Sequence, residues 1–167
     1  MKETPQQYTA RILGYARGRD ALAVLAATPS RLARMVARRT ARELTRPPAP
    51  GRWSVGEILA HLADAELVAG YRWRMMISHS GGDIQAFDQD RWAAEHGYAR
   101  AKPRASLEAF AAMRAFNLRL LRSIPSSAWR RYGVHSERGK ETVEKYARMM
   151  AGHDLNHLAQ IERILKG

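Results

Sequence analysis

Apolar residues recur every third or fourth position through four long segments of this chain, and none of these shows the strict alternation of a half-buried strand. That period marks amphipathic helices, so the expected fold class is all-α, a four-helix bundle. The first main helix is expected from about Thr28 or Pro29, a cap followed by proline at the first helical position, to about Thr45. Shorter helical pieces are expected ahead of it in residues 6–27, and the PPAPG run at 47–51 breaks it. Ser54 and Glu57 form the S-x-x-E pattern of a capping box and open a second helix that extends to about Ser78. The third and fourth helices are expected at about 106–124 and from about Thr142 to Leu165.

Between the second and third main helices lies a long connection, from about His79 to Arg104, that carries GGD and the pattern of a short helix around Asp88 to Tyr98. A connection of that size is foreign to a simple up-and-down bundle and permits a crossover. At 167 residues the chain suits one domain, read as an N-terminal helical extension over 1–27 and a bundle over 28–165.

Composition narrows the chemistry. The chain has no cysteine, which removes disulfides, thiolate-held zinc and a cysteine nucleophile. Any thiol chemistry must come from a small molecule. No apolar stretch approaches the roughly 20 residues of a membrane span, and the polar N-terminus lacks a secretory signal, so a cytoplasmic location and no membrane partner are expected. The net charge of +12 raises nucleic acid as a partner. However, Arg31, Arg34, Arg38, Arg39, Arg42 and Arg46 follow the spacing of a solvated helix face, with no interleaved aromatic residues, and no specific nucleic-acid partner is expected.

The chemically informative residues are histidines. His153 and His157 are four apart on the face of the last helix that also carries Tyr146, Met149, Met150, Ile161 and Ile164. Two imidazoles on one apolar stripe are costly unless their nitrogens are satisfied, and one ion satisfies a nitrogen from each. His61 lies beside the apolar stripe of the second helix, with Glu57, Asp64, Val68 and Arg72 near it on the wheel. These three histidines are the expected ligands of an open divalent metal site. Zinc is the first choice, and nickel, iron, cobalt or manganese also accept imidazole.

Asp64, Glu57 and Asn156 are candidates to orient the ligands. His135, in a glycine-bracketed loop before the last helix, and Asp64 are candidate proton carriers. Arg72 and Arg138 are candidate contacts for an anionic small-molecule substrate. His79 and His96 read as solvated loop residues, and Trp53, Trp73, Trp92 and Trp129 as core or interface.

The segments PAPGRWSVGEILAHLADAEL, AFDQDRW, GVHSERGKET and AGHDLNHLAQI, in this order and spacing, resemble the DinB-like superfamily from about Thr28 to Leu165. The resemblance implies a four-helix bundle, commonly a homodimer, with a divalent metal held by His61, His153 and His157, and a place near the site for His135. It also implies a choice of chemistries. Relatives include transferases that join bacillithiol or mycothiol to electrophiles, a mycothiol-dependent maleylpyruvate isomerase, and proteins named as metal-dependent hydrolases. The expected function is therefore a metal-dependent transferase that activates a low-molecular-weight thiol. The alternatives are a hydrolase working through activated water, and a metal- or ligand-binding bundle without turnover.

Overall fold

The computed structural model describes residues 3–167; the first two residues of the expected N-terminal extension lie outside that range. The helices are α1 (Pro5–Tyr15), α2 (Ala21–Val36), α3 (Ala41–Thr45), α4 (Val55–Ser78), α5 (Gln89–Glu95), α6 (Pro103–Ser123) and α7 (Val143–Lys166). Short 3₁₀ turns occupy Tyr98–Arg100 and Ser126–Arg130. Helix starts follow local chemistry. The Ser54 hydroxyl accepts from the Glu57 N–H while the Glu57 carboxylate accepts from the Ser54 N–H, and Thr4 with Gln7 and Thr40 with Glu43 do the same for α1 and α3.

The first main helix differs from expectation at both ends. It begins at Ala21, capped by Asp20, so Thr28 and Pro29 lie inside it. An interior proline leaves the carbonyl four residues earlier without its helical donor. Here that carbonyl is Leu25, and the Arg114 Nη1 donates to it at 2.9 Å. A tertiary hydrogen bond thus lets the helix run through a residue that usually starts one. The helix then stops at Val36, because the Thr40 side chain offers the backbone a new cap and restarts the chain as α3.

α2, α6, α4 and α7 form the bundle ring, each packing on the next and α7 closing back on α2, while α1 lies on α7. Gly56 meets Pro103, Glu66 meets Arg114 and Gly70 meets Asn117, so α4 and α6 run parallel. Parallel neighbours require the chain to return the length of a helix, and the long connection carrying α5 makes that return. The diagonal steps are α2 to α4 and α6 to α7.

A small sheet, absent from the all-helical expectation, has the order β1 (Asp83–Ile84), β2 (Tyr132–His135), β3 (Gly139–Thr142). β1 pairs parallel with β2, and β2 pairs antiparallel with β3. The sheet ties the crossover to the segment before α7. His135 accordingly sits in a strand, opposite Gly139 and Ile84, rather than in a free loop.

The apolar core has two parts. One gathers around Trp73, Leu25, Leu121 and Tyr146, and the other around Leu32, Leu59, Phe110 and Ile161. Between them lies a buried polar layer. Arg114 holds Glu66 at 2.8 Å and Asp154 at 2.6 Å, and Asn117 donates to the Glu66 carboxylate at 2.8 Å. Burial pushes the Glu66 carboxyl up, and Arg114 opposes that push.

Two glycines permit close helix approach. A Cβ on Gly70 would fall 2.5 Å from the Asn117 side chain, and one on Gly152 would fall 2.0 Å from the Ile12 carbonyl oxygen of α1. Ala normally favours a helix over Gly by about 1 kcal/mol. Gly152→Ala should instead lower the urea midpoint, with a loss of about 1–3 kcal/mol from displacing α1; an unchanged or higher midpoint would show that α1 does not seat on α7. Arg114→Met leaves two buried carboxylates without their cation and should cost about 3–5 kcal/mol in the same assay. A loss under about 1 kcal/mol would mean that the polar layer does not hold the bundle together.

Candidate metal centre

His61 projects from the second turn of α4, and His153 and His157 from adjacent turns of α7. The antiparallel packing of those helices turns the three rings toward one point. The Nε2 of His153 lies 3.0 Å from that of His61 and 3.1 Å from that of His157, and all three histidines are buried. Trp53 covers His61, with ring centroids 5.1 Å apart.

The protonation chemistry of this cluster favours a cation. Burial pushes His61 down to about 3, with a contribution from His157, and pushes His157 down to about 4, opposed by Gln160 and Asp154. His153 lies well below the ordinary histidine range for the same first reason, with His157, His61 and Arg114 adding to it. All three rings are neutral at pH 7, so each has one lone pair and one N–H.

The His157 Nδ1 faces the Gln160 Oε1 at 3.0 Å, an acceptor that places the proton on Nδ1 and the lone pair on Nε2. The His153 Nε2 is near two other ring nitrogens, and its single proton or lone pair cannot serve both well. Three converging lone pairs repel one another until a positive ion lies between them. The donor set suits a divalent ion, since imidazole nitrogens about 2.0–2.1 Å from an ion stand about 2.8–3.4 Å apart, from right-angled to tetrahedral geometry. The Nδ1 atoms of His61 and His153 are buried and have no acceptor among the described residues.

A cleft of about 280 Å³ opens onto His61 and His153. Arg72 and Arg138 line it, with Tyr8, Tyr146 and Met149. Arg138 is held by the Glu141 carboxylate through bonds of 2.8 and 3.0 Å. Arg72 donates to the Tyr146 hydroxyl at 3.3 Å and to the Gln85 carbonyl. Burial raises the Tyr8 hydroxyl, with Arg138 opposing, so Tyr8 enters the cleft as a neutral donor.

Other expected residues lie elsewhere. Asp64 is not in the cleft wall; it accepts from the Tyr98 hydroxyl at 2.7 Å and pairs with His96 at 3.1 Å. His96, expected as a solvated loop residue, therefore helps anchor the crossover to α4, and His79 pairs with Ser78 on the surface. Glu57 is engaged in its cap, and Asn156 accepts from Arg11. His135 is buried and does not line the cleft. Its Nδ1 accepts from the Glu137 N–H, which leaves a buried Nε2–H without an acceptor among the described residues. Burial and the nearby Arg138 push it down to about 4, against Glu141.

Sequence reasoning missed Gln160, which is three residues after His157 and so on its face of α7, and the Tyr146 hydroxyl, which it counted only as apolar. Trp73 is core, as allowed for.

A helical bundle with three histidines converging in its interior defines a class of protein, and comparison with known proteins agrees. The DinB superfamily model matches residues 25–161, and the chain belongs to that superfamily. It is 25% identical to YfiT of Bacillus subtilis over 143 residues, covering 84% of this chain and 80% of that one. It is 28% identical to OB0782 of Oceanobacillus iheyensis over 116 residues, 70% of this chain and 67% of the relative. Both relatives bear the name of a metal-dependent hydrolase. The solved structure of YfiT, described as having an unusual four-helix bundle topology, superposes with a TM-score of 0.81 over 99% of this chain and 89% of that one, at 21% identity. Together with the histidine cluster, these relatives point to a divalent metal.

Gln160→Ala should weaken zinc affinity about 10- to 100-fold in a chelator-competition titration, because His157 loses the acceptor that orients it. Unchanged affinity would show that the ring is oriented without Gln160.

Proposed function

We propose that this protein is a divalent-metal-dependent transferase in which His61, His153 and His157 hold the ion and a low-molecular-weight thiol supplies the nucleophile. The observation that carries the reading is the convergence of three neutral imidazole nitrogens at the head of a cleft. When bound, a divalent ion supplies Lewis acidity, which lowers the pKa of a coordinated water to near 7 and deprotonates a coordinated thiol outright.

The rest falls to the chain. Half-buried Trp53 and buried Met149 and Met150 limit water around the histidines, and Arg72, which lines the cleft, offers positive charge to an incoming anion, while Arg138 is fixed by Glu141. The thiol would release its proton to water, its sulfur would form the new bond to an electrophilic carbon, and the leaving group would depart with the bonding pair. The acidic residues lining the cleft are Glu3, paired with Arg11, and exposed Glu137. A buried carboxylate that would serve water as general base is absent from the cleft wall among the described residues. A thiol, with a pKa far below that of water, would have less need of one, and the lack of cysteine fits a borrowed nucleophile.

Hydrolysis through activated water is the second reading, favoured by the names of the relatives.

The test measures metal by mass spectrometry in protein purified without chelator, then follows electrophile consumption with and without added thiols. We expect one equivalent of metal in the wild type, its loss in folded His61→Ala, His153→Ala and His157→Ala, and product only when thiol is present. Product without thiol would replace the transferase with the hydrolase. Absence of metal after loading with zinc, nickel, iron or manganese would overturn both and leave a bundle without metal-dependent turnover.

A further inference from the structure

Two buried arginines in this bundle are treated very differently. Arg114 is 1% exposed and is neutralised by two carboxylates. Arg72 is 6% exposed, and among the described residues no carboxylate lies within ion-pairing distance of it. Its partners are neutral: the Tyr146 hydroxyl, the Gln85 carbonyl, and the rings of Phe87 and Tyr146 at 5.8 and 5.7 Å. A guanidinium stays charged under all relevant conditions and has five N–H donors, of which these bonds occupy only part. Such a group, nearly removed from water and without a counter-charge, is matched by an anion that is not part of the chain.

Its place in the cavities says more. Arg72 and Phe87 line both the 280 Å³ cleft at the histidines and a second groove of about 470 Å³, so they stand between the two. The larger cavity is thus next to the metal site rather than at it. Val68, Met75, Ile84 and Trp92 give the groove an apolar lining, and its volume falls in the range of small-molecule sites. Exposed Asp83 and Glu95 also line it and disfavour an anion near them, away from the Arg72 end.

We propose that the groove is the binding site for a carboxylate-bearing substrate with an apolar or aromatic body, its carboxylate on Arg72 and its body against Trp92. This rests on the proposed metal-dependent function for its role as electrophile, but the binding itself does not require the ion. The planar guanidinium orients the carboxylate, and the groove selects the body. The carbon next to the carboxylate then lies nearest the histidine cleft, at the boundary that Arg72 and Phe87 form.

Isothermal titration calorimetry of zinc-loaded protein with 3-phenylpropionate and its uncharged amide tests this at constant ionic strength. The acid should bind at least tenfold more tightly than the amide. Arg72→Gln should abolish that difference with zinc content unchanged, Arg72→Lys should retain part of it, and Trp92→Ala should weaken acid and amide alike. A ratio near one in the wild type overturns the proposal without any variant, and a ratio of ten or more that persists in the wild type without zinc places the carboxylate off the ion even if Arg72→Gln does not fold. Binding that survives Arg72→Gln but disappears in His153→Ala would place the carboxylate on the ion, overturning this inference while leaving the metal reading intact. Binding that depends on Arg72 in a protein that takes up no metal would do the reverse.

Discussion

The buried ion cluster of Arg114 with Glu66 and Asp154 is the interaction on which the rest of the bundle depends. Arg114 comes from α6, Glu66 from α4, Asp154 from α7, and the carbonyl that Arg114 also holds belongs to Leu25 of α2. One guanidinium therefore ties all four bundle helices. Burying such groups is expensive, and well-packed apolar residues would often serve stability as well or better. What the cluster adds is register: any other vertical offset of the helices strands a charge in an apolar interior. The Pro29-freed carbonyl fits the same logic, because the backbone acceptor it exposes is available only at that level of α2.

Register in turn fixes the histidines. Glu66 is five residues from His61 on α4, and Asp154 directly follows His153 on α7. Holding Glu66 and Asp154 on one guanidinium sets the relative height of the two helices, which brings Nε2 of His61 and His153 within 3.0 Å. A shift of α7 by one residue would rise about 1.5 Å and rotate its side chains by roughly 100°, which would dissolve the convergence. The nearby positive charge also helps keep His153 neutral. The polar layer is thus coupled to the metal site by both geometry and field.

Much of this was legible from residue spacing. The periodicity gave the helical class, the S-x-x-E pattern located the start of α4, and the i, i+4 pair with His61 gave the cluster, because these signals are local and do not depend on what packs against them. The errors lie where tertiary contact decides. Pro29 reads as a helix start unless Arg114 is known to meet the Leu25 carbonyl. The strands β1 to β3 are two to four residues long, too short to show alternation; β1 pairs with a segment about fifty residues away, and the hairpin of β2 and β3 offers only four residues on each side. Asp64 shares the neighbourhood of His61 on a helical wheel, but Tyr98 and His96 from the crossover capture it. The ion cluster had a signal that went unread: Glu66, Arg114 and Asp154 each occupy a position on the apolar stripe of its helix, alongside Leu62 and Trp73, Phe110 and Leu121, and Met150 and Leu158. Charges at stripe positions on three helices are each other's natural partners.

The same reasoning separates what this fold does for itself from what it holds in readiness. Where a buried charge meets an opposite charge from another helix, as at Arg114, its role is completed within the chain. Where buried polar groups meet only neutral partners, or one another, completion must come from outside. The three imidazoles and Arg72 are both of this second kind, one set short of a cation and the other short of an anion. Arg72 is joined to α7 through the Tyr146 hydroxyl, seven residues before His153 on the same helix, so the two deficits are held in fixed relation by a single rigid element. A bundle that needed only to be stable would have filled both positions with apolar side chains. Retaining unmatched groups of opposite demand on either side of a boundary formed by Arg72 and Phe87 is the arrangement expected of a site that takes up an ion and a substrate together.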